Sequence, residues 1–180
     1  MTENELFALV RKNLKAMMLD NGAPSDLAVV RDYAVSQQGR VETPVIYMNR
    51  QALRQYGSPE DSYRDILGPE SGEVVRTNKQ TIELQLQFTA GVGYNPGDGL
   101  RPGDLLNLAS RVMGTPAWLQ IMRAAGVSMY RIESAQQTYR VNDRTQYEPV
   151  PVLLATFIYD EQIVTRAPVV TNTRTTIQGV

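Results

Sequence analysis

Apolar positions recur with two different periods along this chain, and each period predicts a different element. Leu6, Leu9, Val10, Leu14, Met17 and Met18 fall at helical spacing and leave Arg11, Lys12 and Lys15 on the other face. Thr2 is a suitable N-cap, Glu3 and Glu5 complement the positive end of the helix dipole, and Asn21-Gly22 supplies a stop. Strict alternation marks Thr81-Ile82-Glu83-Leu84-Gln85-Leu86-Gln87-Phe88 as a strand with one buried and one polar face. Leu27, Val29, Val30, Tyr33 and Val35 indicate a short strand or a mixed segment, and Thr43-Pro44-Val45-Ile46-Tyr47-Met48 a short strand entered through proline. Asp104 reads as the cap of a helix over Leu105, Leu108, Ala109 and Val112. Thr115, Pro116 and Gly126 punctuate a second helix holding Trp118, Leu119, Ile121 and Met122. Val127, Met129, Tyr130 and Ile132 then predict a short strand, and Pro149 to Tyr159 a longer, largely buried one.

The segments between these elements are polar. Residues 49–72 carry Gly57, Pro59, Gly68, Pro69 and Gly72 among charged side chains and read as a long loop. The glycine-rich run 91–99 reads as a strand-to-helix connection and 136–144 as a polar one. From Ile163 to Val180 the chain is rich in Thr and Val with few core-sized residues, which suits an extended arm. The expected fold is α+β: a mixed, mainly antiparallel sheet with an N-terminal helix and a helix pair packed on one face. It forms a single domain over residues 1–162, including the long loop, followed by a C-terminal arm over 163–180.

Composition narrows the function more than it narrows the fold. The 180 residues are 42% hydrophobic and 21% charged, with a formal net charge of -1, so no basic surface dominates. Cysteine and histidine are both absent, which removes disulfides, Cys/His zinc sites, thiol nucleophiles and histidine bases. The acidic start Met1-Thr2-Glu3-Asn4-Glu5 is unlike a signal peptide, and no long apolar run indicates a membrane span, so folding in a cytoplasm is expected. The run 91–99 lacks a following Gly-Lys-Ser/Thr, and Asp98 and Asp104 would repel phosphate. Glu60-Asp61 and Asp160-Glu161 are adjacent pairs; neighbours on a strand point to opposite faces and do not converge. With no reaction site legible, the reading is a structural assembly subunit without catalytic residues, cofactor or metal.

The order of features resembles the neck and tail terminator proteins of tailed bacteriophages. An amphipathic N-terminal helix precedes Thr43-Pro44-Val45, and a strand ends near Phe88-Thr89-Ala90-Gly91 before paired helices. The second helix ends at Ala125-Gly126-Val127. A polar stretch from Val141 to Pro149 then leads into the apolar strand Val152 to Tyr159. One departure is Pro149 and Pro151, where the family usually has an arginine before the last strand. The resemblance implies a homo-oligomeric ring, typically a hexamer, that stops tail growth and joins the tail to the neck of the virion after assembly in the host cytoplasm. It implies as partners further copies of the chain, the tail tube and sheath, and a head-tail connector or collar protein. DNA would be a non-specific cargo, and no membrane is involved. Arginine, tyrosine and extended β-prone segments favour interfaces. The candidate interface residues are therefore Arg54, Tyr56, Tyr63, Arg64, Tyr94, Asn95, Arg101, Arg144, Tyr147, Val164, Arg166, Val169, Val170 and Arg174. The alternatives are another phage structural subunit, such as a connector, collar or baseplate component, and a small nucleotide-binding domain using 91–99.

Overall fold

The computed structural model describes residues 1–31, 43–65, 73–91, 101–133, 135–141 and 147–168. Helix α1 (Glu3–Asp20) starts at a reciprocal cap. The Thr2 hydroxyl accepts from the Glu5 N–H at 3.3 Å, and the Glu5 carboxylate accepts from the Thr2 N–H at 2.7 Å. These bonds satisfy amides that a helix start leaves without intrahelical partners, and they hold Glu5 below the usual carboxylate range. Asn21 closes the helix, and Gly22 follows at φ 89°, a conformation that strains any residue with a Cβ. Leu6, Phe7, Val10, Leu14 and Met18 form its buried stripe.

Among the described residues, six strands make one sheet: β1 (Ala28–Arg31), β2 (Val45–Asp65), β3 (Glu73–Gly91), β4 (Val127–Ile132), β5 (Gln136–Val141) and β6 (Tyr147–Pro168). Their order is β1-β2-β3-β6-β4, with β5 beside β4 on the same edge of β6. Among the described residues β1–β2 is the one parallel pair of neighbouring strands, and the other pairs are antiparallel. Helices α1, α2 (Pro102–Met113) and α3 (Pro116–Ala124) all lie on one face. There Ile82, Leu84, Leu86 and Phe88 of β3 and Leu153, Ala155, Phe157 and Tyr159 of β6 join Leu105, Leu106, Ala109, Trp118 and Met122 of the helices. Burying a side chain of this size stabilises by about 1.5–3 kcal/mol, so this face carries the fold. The α+β architecture is the expected one.

Several sequence expectations need correction. Residues 49–65 are not loop: they continue β2, paired with β3 as far as Asp65 opposite Val74. Residues 66–72 lie outside the described residues. Ile163 to Pro168, the start of the segment read as an arm, continue β6 and pair with β3 from Asn78 to Glu73, and residues 169–180 lie outside the described residues. The supposed connection at 136–144 begins as strand β5. Asp104 does not cap α2; Arg101 occupies the cap position, and the Asp104 carboxylate accepts from the Arg101 N–H at 3.1 Å. Tyr33 and Val35 lie outside the described residues. Pro149 and Pro151 fit because β6 meets β3 only from Val152 onward, so no N–H is missed on that side.

Candidate assembly surface

The long strands outrun the core. β1 leaves β2 after Met48, and β4 leaves β6 after Tyr159. Beyond these points, among the described residues, β2, β3 and β6 continue alone as a three-stranded blade, Tyr56–Asp65 with Glu73–Thr81 and Asp160–Pro168. At about 3.3 Å per residue the blade extends roughly 30 Å. No apolar layer covers it among the described residues. Tyr63 is 65% exposed, Ile163 59% and Val164 60%.

Unbroken pairing of β3 with β6 carries the core's face alternation into the blade. Asp61, Tyr63, Arg76, Asn78 and Ile163 therefore share the helix side, and Glu60, Lys79, Asp160, Val164 and Arg166 the helix-free side. Polar side chains of the central strand are paired. Arg76 donates to Asp61 at 3.2 and 2.7 Å, and Asn78 donates to the same carboxylate at 3.0 Å. Hydrogen bonding to Arg76 holds Asp61 low and raises Arg76. Lys79 reaches Asp160 at 2.9 Å, and Thr81 donates to Asp160 at 2.9 Å; the bond to Lys79 is the leading cause of the lowered Asp160 pKa.

One irregularity interrupts the blade. Between Tyr56 and Glu60 the register slips, with Gly57 at φ 67°. The Gln80 amide donates to the Tyr56 and Gly57 carbonyls at 2.8 and 3.3 Å, satisfying groups the bulge releases. Pro59 sits in this bulge, where strand β2 has no outer neighbour among the described residues to miss its N–H.

Nearer the core, the helix-free face forms a groove of about 340 Å³ lined by Arg54, Tyr56, Glu83, Tyr130, Arg131 and Glu133 among others. The Tyr56 hydroxyl donates to Glu83 at 2.7 Å, and that bond is the main cause of its raised phenol pKa. Tyr130 is 72% exposed. Its position coincides with a register slip between Met129 and Arg131, which breaks the alternation that would have flagged it in the sequence.

The candidate interface residues are dispersed over these features. Arg54 and Tyr56 meet in the groove. Tyr63, Val164 and Arg166 lie on the blade, and Arg64 pairs with Val75 within it. Arg101 is far along the chain at the start of α2, and Tyr147 begins β6 opposite Val141. Tyr94, Asn95, Arg144, Val169, Val170 and Arg174 lie outside the described residues. Sequence reasoning missed Glu60, Glu83, Tyr130, Arg131 and Ile163. Among the described residues no group of three or more Asp, Glu, His or Cys could hold a metal, and no helix is long and apolar enough to cross a membrane.

The α+β fold has counterparts among solved structures. One match is to the sheath/tube terminator of an extracellular contractile injection system, PVC, in its extended state. It covers 96% of this chain and 63% of that one, with a TM-score of 0.51 and 11% identity, a likeness of fold. This chain thus spans less than two thirds of that terminator's length. The model of the E217 gateway protein gp29 family matches residues 5–169, and the chain belongs to that family. No curated protein matches it.

Proposed function

We propose that this protein is a structural virion subunit that forms a ring at the top of a phage tail, ends tail growth there and joins the tail to the neck. The carrying observation is family membership over residues 5–169, together with a blade whose exposed strands invite contact. The ring has six copies. Its partners are other copies of the chain, the tail tube and sheath on one side and a connector or collar protein on the other, with DNA passing as non-specific cargo. The subunit assembles in the host cytoplasm, and its role is structural, without catalysis. Residues 1–162 act as its folded body and the chain beyond as a reaching segment that begins in the blade. The injection-system neighbour is a sheath/tube terminator, which supports this reading. Negative-stain imaging of the purified protein with tail tubes tests it. Six-fold rings capping tube ends are expected; a particle that stays monomeric with tubes present would sink the reading.

A further inference from the structure

The blade ends in two unlike open edges. Among the described residues, β2 has no outer strand from Asn49 to Asp65, and β6 has none on its other side from Asp160 to Pro168, where the Met1 amino group donates to the Asp160 carbonyl at 3.0 Å and leaves Glu161–Pro168 open. Open edges of this length are templates for strand pairing unless something blunts them. On β2 the bulge and Pro59 block residues 57–59, which leaves Glu60–Asp65 as the part of the blade's edge able to pair.

Charge is arranged differently on edge and centre. The central strand's Arg76 and Lys79 have ion-pair partners within the chain. Glu60 on the β2 edge and Arg166 on the β6 edge are both exposed, and neither has an ion-pair partner among the described residues. They lie on the same helix-free face, one acidic and one basic, on opposite edges of one molecule. A head-to-tail contact between identical copies needs two complementary edges of this kind.

We infer that the blade's β6 edge pairs with the β2 edge of a second copy of this chain, joining blades into one continuous barrel. The inference rests on the ring reading above and names the surface that closes the ring. β2 and β6 run in the same direction, so the joint is parallel. An even stagger keeps both sheet faces continuous across it. A stagger of two to four residues brings Glu60 opposite Arg166 or one pleat away. Six three-stranded blades give roughly eighteen strands, a size at which barrels enclose an open channel, and this stagger gives a strand tilt of about 25–45°. The helices occupy one face, so the helix-free face lines the channel. On that face Glu60, Lys79, Asp160 and Arg166 sum to zero, which suits passage without sequence-specific hold.

The test uses the full chain in sedimentation velocity and oxidative cross-linking. Glu60→Arg alone and Arg166→Glu alone are each expected to raise the assembly midpoint roughly tenfold, and the double swap to restore it. The chain has no cysteine, so introduced pairs report cleanly. Glu60→Cys combined with Gln162→Cys, Val164→Cys or Arg166→Cys is expected to give an oxidised ladder in one of the three. Glu60→Cys with Lys12→Cys on the polar face of α1 should give none. Closed rings unaffected by either reversal and uncross-linked by all three pairs overturn the inference while leaving the ring reading intact. A chain that never assembles, even with tail tubes, overturns both.

Discussion

Trp118 shows how a single side chain links the sequence to the core. Thr115 caps α3, its hydroxyl accepting from the Trp118 N–H at 3.3 Å, and Trp118 is 0% exposed beneath the sheet. Its indole N–H finds no protein acceptor among the described residues, so its contribution is packing. Trp118→Ala is expected to cost about 3–5 kcal/mol in urea unfolding, whereas Trp118→Phe should cost no more than about 2. Equal losses would mean that the N–H matters. Tyr159 makes a pH prediction. Burial first, then Glu161 and Glu3, push its phenol up to about 12 against the opposing Arg50. The native chain therefore keeps a proton that the unfolded chain releases near 10. The associated stability is fully present below that value and is lost as pH rises toward about 12. Urea midpoints compared at about pH 9 and pH 11 should fall less steeply in Tyr159→Phe than in the parent. Tyr56 and Lys79, both raised by hydrogen bonds to carboxylates, supply the slope that remains. Side-chain identity made the Thr115 cap and the buried Trp118 legible. It could not show that Tyr56 finds Glu83, since that contact depends on strand register.

At the scale of elements, legibility followed burial. The strand at 81–88 was readable because one of its faces meets helices and the other does not, and selection for a core imposes alternation. The same logic hid β2 beyond Met48. In the blade both faces are wet, so Tyr56, Gly57, Pro59, Glu60 and Asp61 carry no period and imitate a loop. The end of β6 was hidden for the same reason, while caps at Thr2 and Thr115 and stops at Gly22 and Gly126 made α1 and α3 visible. The buried apolar set stops at Tyr159, so the blade contributes little to the core. A chain ending at Asp160 is expected to melt within about 5 °C of the parent yet fail to assemble, and a chain ending at Pro168 should retain every described strand. Loss of the folded state on ending at Asp160 would place the blade inside the cooperative unit.

For the whole molecule, the sequence supported an assembly part through what it lacked and through a loose order of features. The family match and the outrunning strands add a defined body for that role. The placement of strand β3 has a mechanical consequence. It is hydrogen-bonded to β2 on one side and to β6 on the other along nearly its whole length, from the core into the blade. Those bonds lie across the strands. A pull between blade tip and body, directed along the strands, would strain many of them together and not one after another. Such a joint resists sliding far better than peeling, so the central strand can act as a tendon between the globular body and whatever grips the tip.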